Sequence, residues 1–172
     1  RKGGNCALIT TEGFTDVLYI RDEHRYEMFD PQIEYPEPLI PKSQTYPVRE
    51  RVSAQGRLIS AVDEAQVRNI AQTISDNDIQ SVAVCLLNSY ANDINERRVK
   101  QILEREVTGL QVTLSSDIAP QIREYPRTST TSINAYATPF SLPYLNGLTD
   151  QVRARDSKLE PLIMLSNGGV IL

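Results

Sequence analysis

The stretch Ser81-Val82-Ala83-Val84-Cys85-Leu86-Leu87 constrains what this chain can fold into more than any other. A continuous apolar run of that length marks a strand buried on both faces, the habit of parallel sheets covered by helices. The loop Asn88-Ser89-Tyr90-Ala91 leads to a helix beginning near Asn92. Ile94, Val99, Ile102 and Leu103 stripe one face of it, and Glu96 and Lys100 pair at i,i+4 on the other. Leu110-Gln111-Val112-Thr113-Leu114 reads as a second strand. Strand, helix and strand with short links predict a right-handed parallel βαβ unit.

The rest of the chain is placed around that unit. Cys6 to Thr10 suits another buried strand, and Thr11 to Leu18 a short helix capped by a threonine. Between Arg21 and Lys42, Pro31, Pro36, Pro38 and Pro41 impose an extended loop. Tyr46, Val48 and Val52 alternate with Pro47, Arg49 and Arg51 as one strand, and Leu58-Ile59-Ser60 returns against it after the turn Ala54–Arg57, a small β-hairpin. Asp63 caps a helix with Gln66 three residues on; Val67, Ile70, Ala71 and Ile74 form its apolar face. Proline is expected to split the later part into short helices at Pro120–Tyr125 and Ser129–Ala137, broken at Pro126 and Pro139, then a helix over Leu142–Arg155 and a buried strand over Pro161–Leu165. The expected division is residues 1–42 (strand, short helix, proline-rich loop) and an α/β piece over 43–172. The run of aliphatics ending at Leu172 reads as a cut end, as does the start.

Composition narrows the function classes. A net charge of −4 without a basic face argues against nucleic acid. No apolar run approaches the roughly 20 residues of a membrane span. Cys6 and Cys85 lie in apolar strands and read as buried reduced thiols of a cytoplasmic protein. Two isolated cysteines and the single His24, a surface residue by its neighbours, make no metal site. Arg97 and Arg98 read as a solvated helix face. With no glycine-rich phosphate loop, the chain holds no nucleotide cradle of its own.

Two polar clusters remain. Arg123-Glu124-Tyr125-Pro126-Arg127-Thr128-Ser129-Thr130-Thr131 is either a capped helix start with solvated charge or a set of arginines and hydroxyls converging on a carboxylate, a phosphate or a neighbouring domain. Asn167-Gly168-Gly169, after a strand, is either an ordinary turn or a place where backbone approaches a ligand closely. Arg123, Arg127, Thr128, Ser129, Asn167, Gly168 and Gly169 are therefore the candidate substrate- or phosphate-contacting residues, with no catalytic residue identified.

These strings carry a resemblance. Leu8-Ile9-Thr10-Thr11-Glu12-Gly13-Phe14-Thr15-Asp16-Val17-Leu18, then Val82 to Asn92 with Glu96-Arg97-Arg98, Ser115-Ser116, Arg123 to Thr131 with Asn134-Ala135-Tyr136, and Ser166 to Gly169 resemble, in order, the hydantoinase A/5-oxoprolinase family, which includes acetone carboxylase subunits. The resemblance implies a three-layer sheet of the actin/sugar-kinase, ribonuclease H-like architecture. It also implies an ATP-dependent hydrolase that phosphorylates a cyclic amide, a hydantoin or oxoproline, to open its ring. ATP and Mg2+ would be held by the full-length protein, whose phosphate motifs fall before Arg1 and after Leu172, and nothing by this segment alone. The implied partners are the rest of the same polypeptide and a second subunit of the hydantoinase B type. The other class of function is an interaction module of an acetone-carboxylase-like complex. Many relatives carry His where this chain has Asn88.

Overall fold

The computed structural model describes residues 3–22, 29–30, 32–156, 161–164 and 169–171. Four strands form one parallel sheet: β1 (Cys6–Thr11), β2 (Thr45–Val48), β5 (Ser81–Cys85) and β6 (Gln111–Leu114), in the order β2-β1-β5-β6. Between them the chain adds α1 (Val17–Ile20), the hairpin strands β3 (Arg51–Val52) and β4 (Leu58–Ser60), α2 (Glu64–Asp76) and α3 (Ile94–Glu106). After β6 come α4 (Ser115–Ile118), α5 (Glu124–Arg155) and an antiparallel pair, β7 (Ile163–Met164) and β8 (Val170–Ile171).

Every residue of β1 and β5 is buried, as a continuous apolar run requires. Alternation then assigns the two faces. Ala7, Ile9, Val82 and Val84 meet α2 and α3 through Val67, Ile74, Val99 and Leu103. Cys6, Leu8, Ala83 and Cys85 face Leu18 of α1 and Ala135 of α5. Helices thus cover both faces, giving the expected three-layer α/β arrangement. β1 lies inside the sheet, so residues before and after position 42 share it.

Local chemistry fixes the edge. Asp63 caps α2 by accepting from the Gln66 amide. The Gln66 side chain then accepts from the Arg49 amide and donates to the Pro47 carbonyl, clamping the helix start onto β2. Pro47 is tolerated because β2 is an outer strand.

Four expectations need correction. The run Tyr46–Val52 is two strands in different sheets, because Glu50 turns inward between them and breaks the ladder. Thr11–Leu18 is a turn followed by one helical turn, Val17–Ile20. Of the helices predicted to break at Pro126 and Pro139, the stretch Pro120–Arg123 is not helical, and from Glu124 to Arg155 the chain is one helix of 32 residues. Pro126 sits in its first turn, where no amide donor is needed. Pro139 leaves the Ala135 carbonyl without its helical donor, and the Ser81 hydroxyl fills that place at 2.7 Å. Finally, the described part of Pro161–Leu165 is not a buried strand: among its described residues only Ile163–Met164 pair, and Leu162 and Met164 are exposed. His24 and Leu165 lie outside the described residues.

Candidate functional site

The sheet's connections diverge between β1 and β5. From β1 the chain passes to β2 on one side; from β2 it runs through α2 to β5 on the other. The crevice beyond the carboxyl ends of strands at such a switch point is where open α/β sheets bind ligands. Residues from β1, β5, α3, α4 and α5 meet there in two buried polar networks.

The first joins an arginine to a carboxylate that sequence reading placed in solvent. Arg127, on the second turn of α5, is 1% exposed. Its Nη1 donates to Ser89 Oγ at 2.5 Å and its Nη2 to the Leu86 carbonyl at 2.8 Å. Ser89 and Ser115 hydroxyls lie 3.1 Å apart, and Ser115 Oγ is 2.6 Å from Glu96 Oε1. Ser115 has one proton and spends it on the carboxylate, so Ser89 must donate to Ser115. The chain therefore runs in one direction, guanidinium to hydroxyl to hydroxyl to carboxylate. Glu96 also accepts from the Leu86 and Ser116 amides. Leu86, just past β5, is thus held from both sides, its N–H by the glutamate and its C=O by the arginine. Tyr90 adds a ring 5.6 Å from the guanidinium carbon.

Glu96 has no exposed surface, so its expected surface pairing with Lys100 is wrong; Lys100 lies 3.7 Å from Glu104 instead. The signal was in the spacing. Glu96 stands three and seven residues before Val99 and Leu103, on the apolar stripe itself.

The second network centres on Glu50, also buried. Thr11 Oγ1 donates to it at 2.5 Å and accepts from the Leu87 amide. Asn95 Nδ2 donates to its other oxygen at 2.7 Å. Burial pushes the Glu50 carboxyl above its ordinary value and the nearby Glu96 charge adds to this, while the two hydrogen bonds and Arg51 oppose it. Asn88, at the tip of the β5–α3 loop, has φ of 57°, a conformation asparagine tolerates, and donates to the Val52 carbonyl. In this chain Asn88 ties the β3–β4 hairpin to the loop, as Asn92 does through the Gly56 carbonyl.

The sequence-derived candidates separate in space. Arg127 and Thr128 reach the crevice between β1 and β5; Thr128 is buried with its hydroxyl 3.1 Å from Cys85 Sγ. Ser129 lines a different cavity of about 240 Å³, with Leu18, Pro36, Pro38 and Ile133. Arg123 is exposed ahead of α5, with φ of 76°. Gly169 precedes β8, and Asn167 and Gly168 lie outside the described residues. Arg97 pairs with Asp93 and Asp117, and Arg98 with Glu64. Both cysteines are free and buried, and burial raises both thiols, Cys6 to about 11. Among the described residues no His, Cys, Asp and Glu group suits a metal ion, and no helix is long and apolar enough to cross a membrane.

The chain is similar to several known proteins. Yeast (Saccharomyces cerevisiae) 5-oxoprolinase is 31% identical over 99% of the chain, and the acetone carboxylase beta subunit of Xanthobacter autotrophicus 30% identical over 99%. The crystal structure of ATP-dependent caprolactamase from Pseudomonas jessenii matches 98% of the chain with a TM-score of 0.86 at 29% identity. The chain spans 15%, 26% and 25% of these proteins' own lengths. The sequence profile described as the hydantoinase/oxoprolinase N-terminal region matches residues 1–107, more than half of the chain, which therefore belongs to the hydantoinase/oxoprolinase family.

Proposed function

We propose that the protein to which this chain belongs is an ATP-dependent hydrolase of cyclic amides, a hydantoin or 5-oxoproline, and that this segment is one wall of its cleft, inactive alone. Transfer of the γ-phosphoryl group of ATP to the amide oxygen, with release of ADP, would remove the amide resonance that resists direct attack; water then adds to the activated carbon, inorganic phosphate leaves, and cleavage of the C–N bond opens the ring. What supports this most is the family membership of a chain whose fold matches that of an ATP-dependent caprolactamase. The described residues offer neither a glycine-rich phosphate cradle nor a carboxylate cluster for Mg2+. In this proposal ATP and Mg2+ are held by other parts of the cytoplasmic polypeptide, and a subunit of the hydantoinase B type completes the assembly. Arg127 and Thr128, with Arg123, Ser129, Asn167, Gly168 and Gly169, are the proposed substrate- or phosphate-facing residues.

A second reading has one observation in its favour. Phe140, Tyr144 and Leu148 repeat every fourth residue on α5 and are exposed. On that reading the segment is an interaction module of an acetone-carboxylase-like complex. ATP hydrolysis by the full-length protein, measured against hydantoins, 5-oxoproline and ketones, separates the two. Stimulation by a cyclic amide, cut at least tenfold by Arg127→Ala with assembly unchanged, is the expected result. Silence across the panel, or loss of assembly in that variant, would sink the first reading.

A further inference from the structure

Arg127 has three guanidinium nitrogens; Nη1 and Nη2 each donate to an acceptor, and Nε is the nitrogen that does not. It is buried and finds no acceptor among the described residues. A donor stranded away from water is costly, and natural structures rarely keep one without a reason. Arg127 lines a crevice of about 10 Å³ with Thr10, Phe14, Leu87 and Thr128, at the switch point between β1 and β5, and neither Ser89 nor Leu86, the acceptors of its Nη groups, is among the walls. That space admits about one oxygen atom and excludes a phosphate group.

The charge balance points the same way. The hydroxyl chain through Ser89 and Ser115 couples Arg127 to Glu96, so the guanidinium is already matched by a carboxylate. Glu124 lines the crevice as well and adds a further acidic group. An anion would meet Glu124 and no spare positive charge, whereas a neutral acceptor would meet the unpartnered Nε–H.

The geometry points to a one-atom receptor: Arg127 Nε–H takes a single neutral carbonyl oxygen, as of an amide or urea, and is not an anchor for phosphate or carboxylate. This rests on the proposed function only in identifying that oxygen with the substrate's.

The test is equilibrium binding of 2-pyrrolidinone and of inorganic phosphate to the full-length protein and two variants. Arg127→Lys keeps the charge and removes the Nε–H. Thr10→Ile keeps a β-branched strand residue and fills the crevice, so it carries the test should Arg127→Lys fail to fold. The expected result is that 2-pyrrolidinone binds the unaltered protein, phosphate does not compete, and each folded variant weakens binding at least tenfold. Unchanged binding in a folded variant, displacement by phosphate, or no binding of 2-pyrrolidinone to the unaltered protein would each overturn the proposal. Parallel ATP turnover keeps the two ideas apart. Amide binding through Arg127 without amide-stimulated hydrolysis defeats the function proposed above and leaves the receptor standing. Amide turnover equal in the parent and Arg127→Lys proteins does the reverse.

Discussion

Three bonds converge on the Glu96 carboxylate: two backbone amides and one hydroxyl end on it, and the Arg127 charge lies behind that hydroxyl. Removing one member of a buried charge pair leaves the other uncompensated, at a cost of about 3–5 kcal/mol. Glu96→Ala in the intact protein should lose stability on that scale in urea titrations, and a loss below about 1 kcal/mol would refute the network as drawn. Glu50 gives a pH signature of the opposite kind from a surface salt bridge. Its carboxyl titrates higher folded than unfolded. As pH rises from the ordinary glutamate range of about 4.3 towards that raised value, the unfolded chain releases its proton first. The Glu50 contribution to stability is therefore present at low pH and lost across that window. Subtracting the pH–stability curve of Glu50→Gln from the parent curve should show this fall, and a difference that rises with pH would contradict it.

At the scale of elements, α5 shows how a proline becomes compatible with a long helix. Its missing amide frees the Ala135 carbonyl, and the Ser81 hydroxyl at the start of β5 takes it. Helix and sheet are joined through the gap in the ladder. Ser81→Ala should cost about 1–3 kcal/mol alone, since it strands a buried carbonyl. In a Pro139→Ala background the restored amide can serve that carbonyl, so the cost of Ser81→Ala should shrink. A double-mutant cycle by denaturant unfolding should give a coupling of at least about 0.5 kcal/mol; strict additivity would defeat the explanation. The same element marks the limit of sequence reading. Periodicity found α2, whose Val67, Ile70, Ala71 and Ile74 are all buried, and most of α3. It did not find that α5 is continuous. A proline's cost depends on whether a distant donor replaces the lost bond, and Ser81 lies more than fifty positions away in sequence.

For the whole molecule, what was legible was whatever repeats locally. Continuous apolar runs announced β1 and β5, and short links announced βαβ, whereas β2 read as part of a hairpin. Order in the sheet, and hence the switch point, depends on which strand settles beside which, and no spacing rule carries that. The candidate site was half legible for the same reason. Arg127 and Thr128 stood out as polar residues in an odd cluster. Ser89, Ser115 and Glu96 became partners of Arg127 only when the segments after β5 and β6 met α5, and Glu50 a partner of Thr11 and Asn95 only when the β2–β3 link met β1 and α3.

The central place of β1 has a consequence in time. β1 is made early, yet one of its two neighbours, β5, ends at Cys85. At about 5–20 residues per second, a ribosome needs about 4–15 s to travel from Thr11 to Cys85. Throughout that interval six residues destined for complete burial emerge with a strand edge unpaired, the kind of surface that recruits other chains. A strand wholly buried in the finished fold is the one that waits longest, uncovered, while the fold is being made.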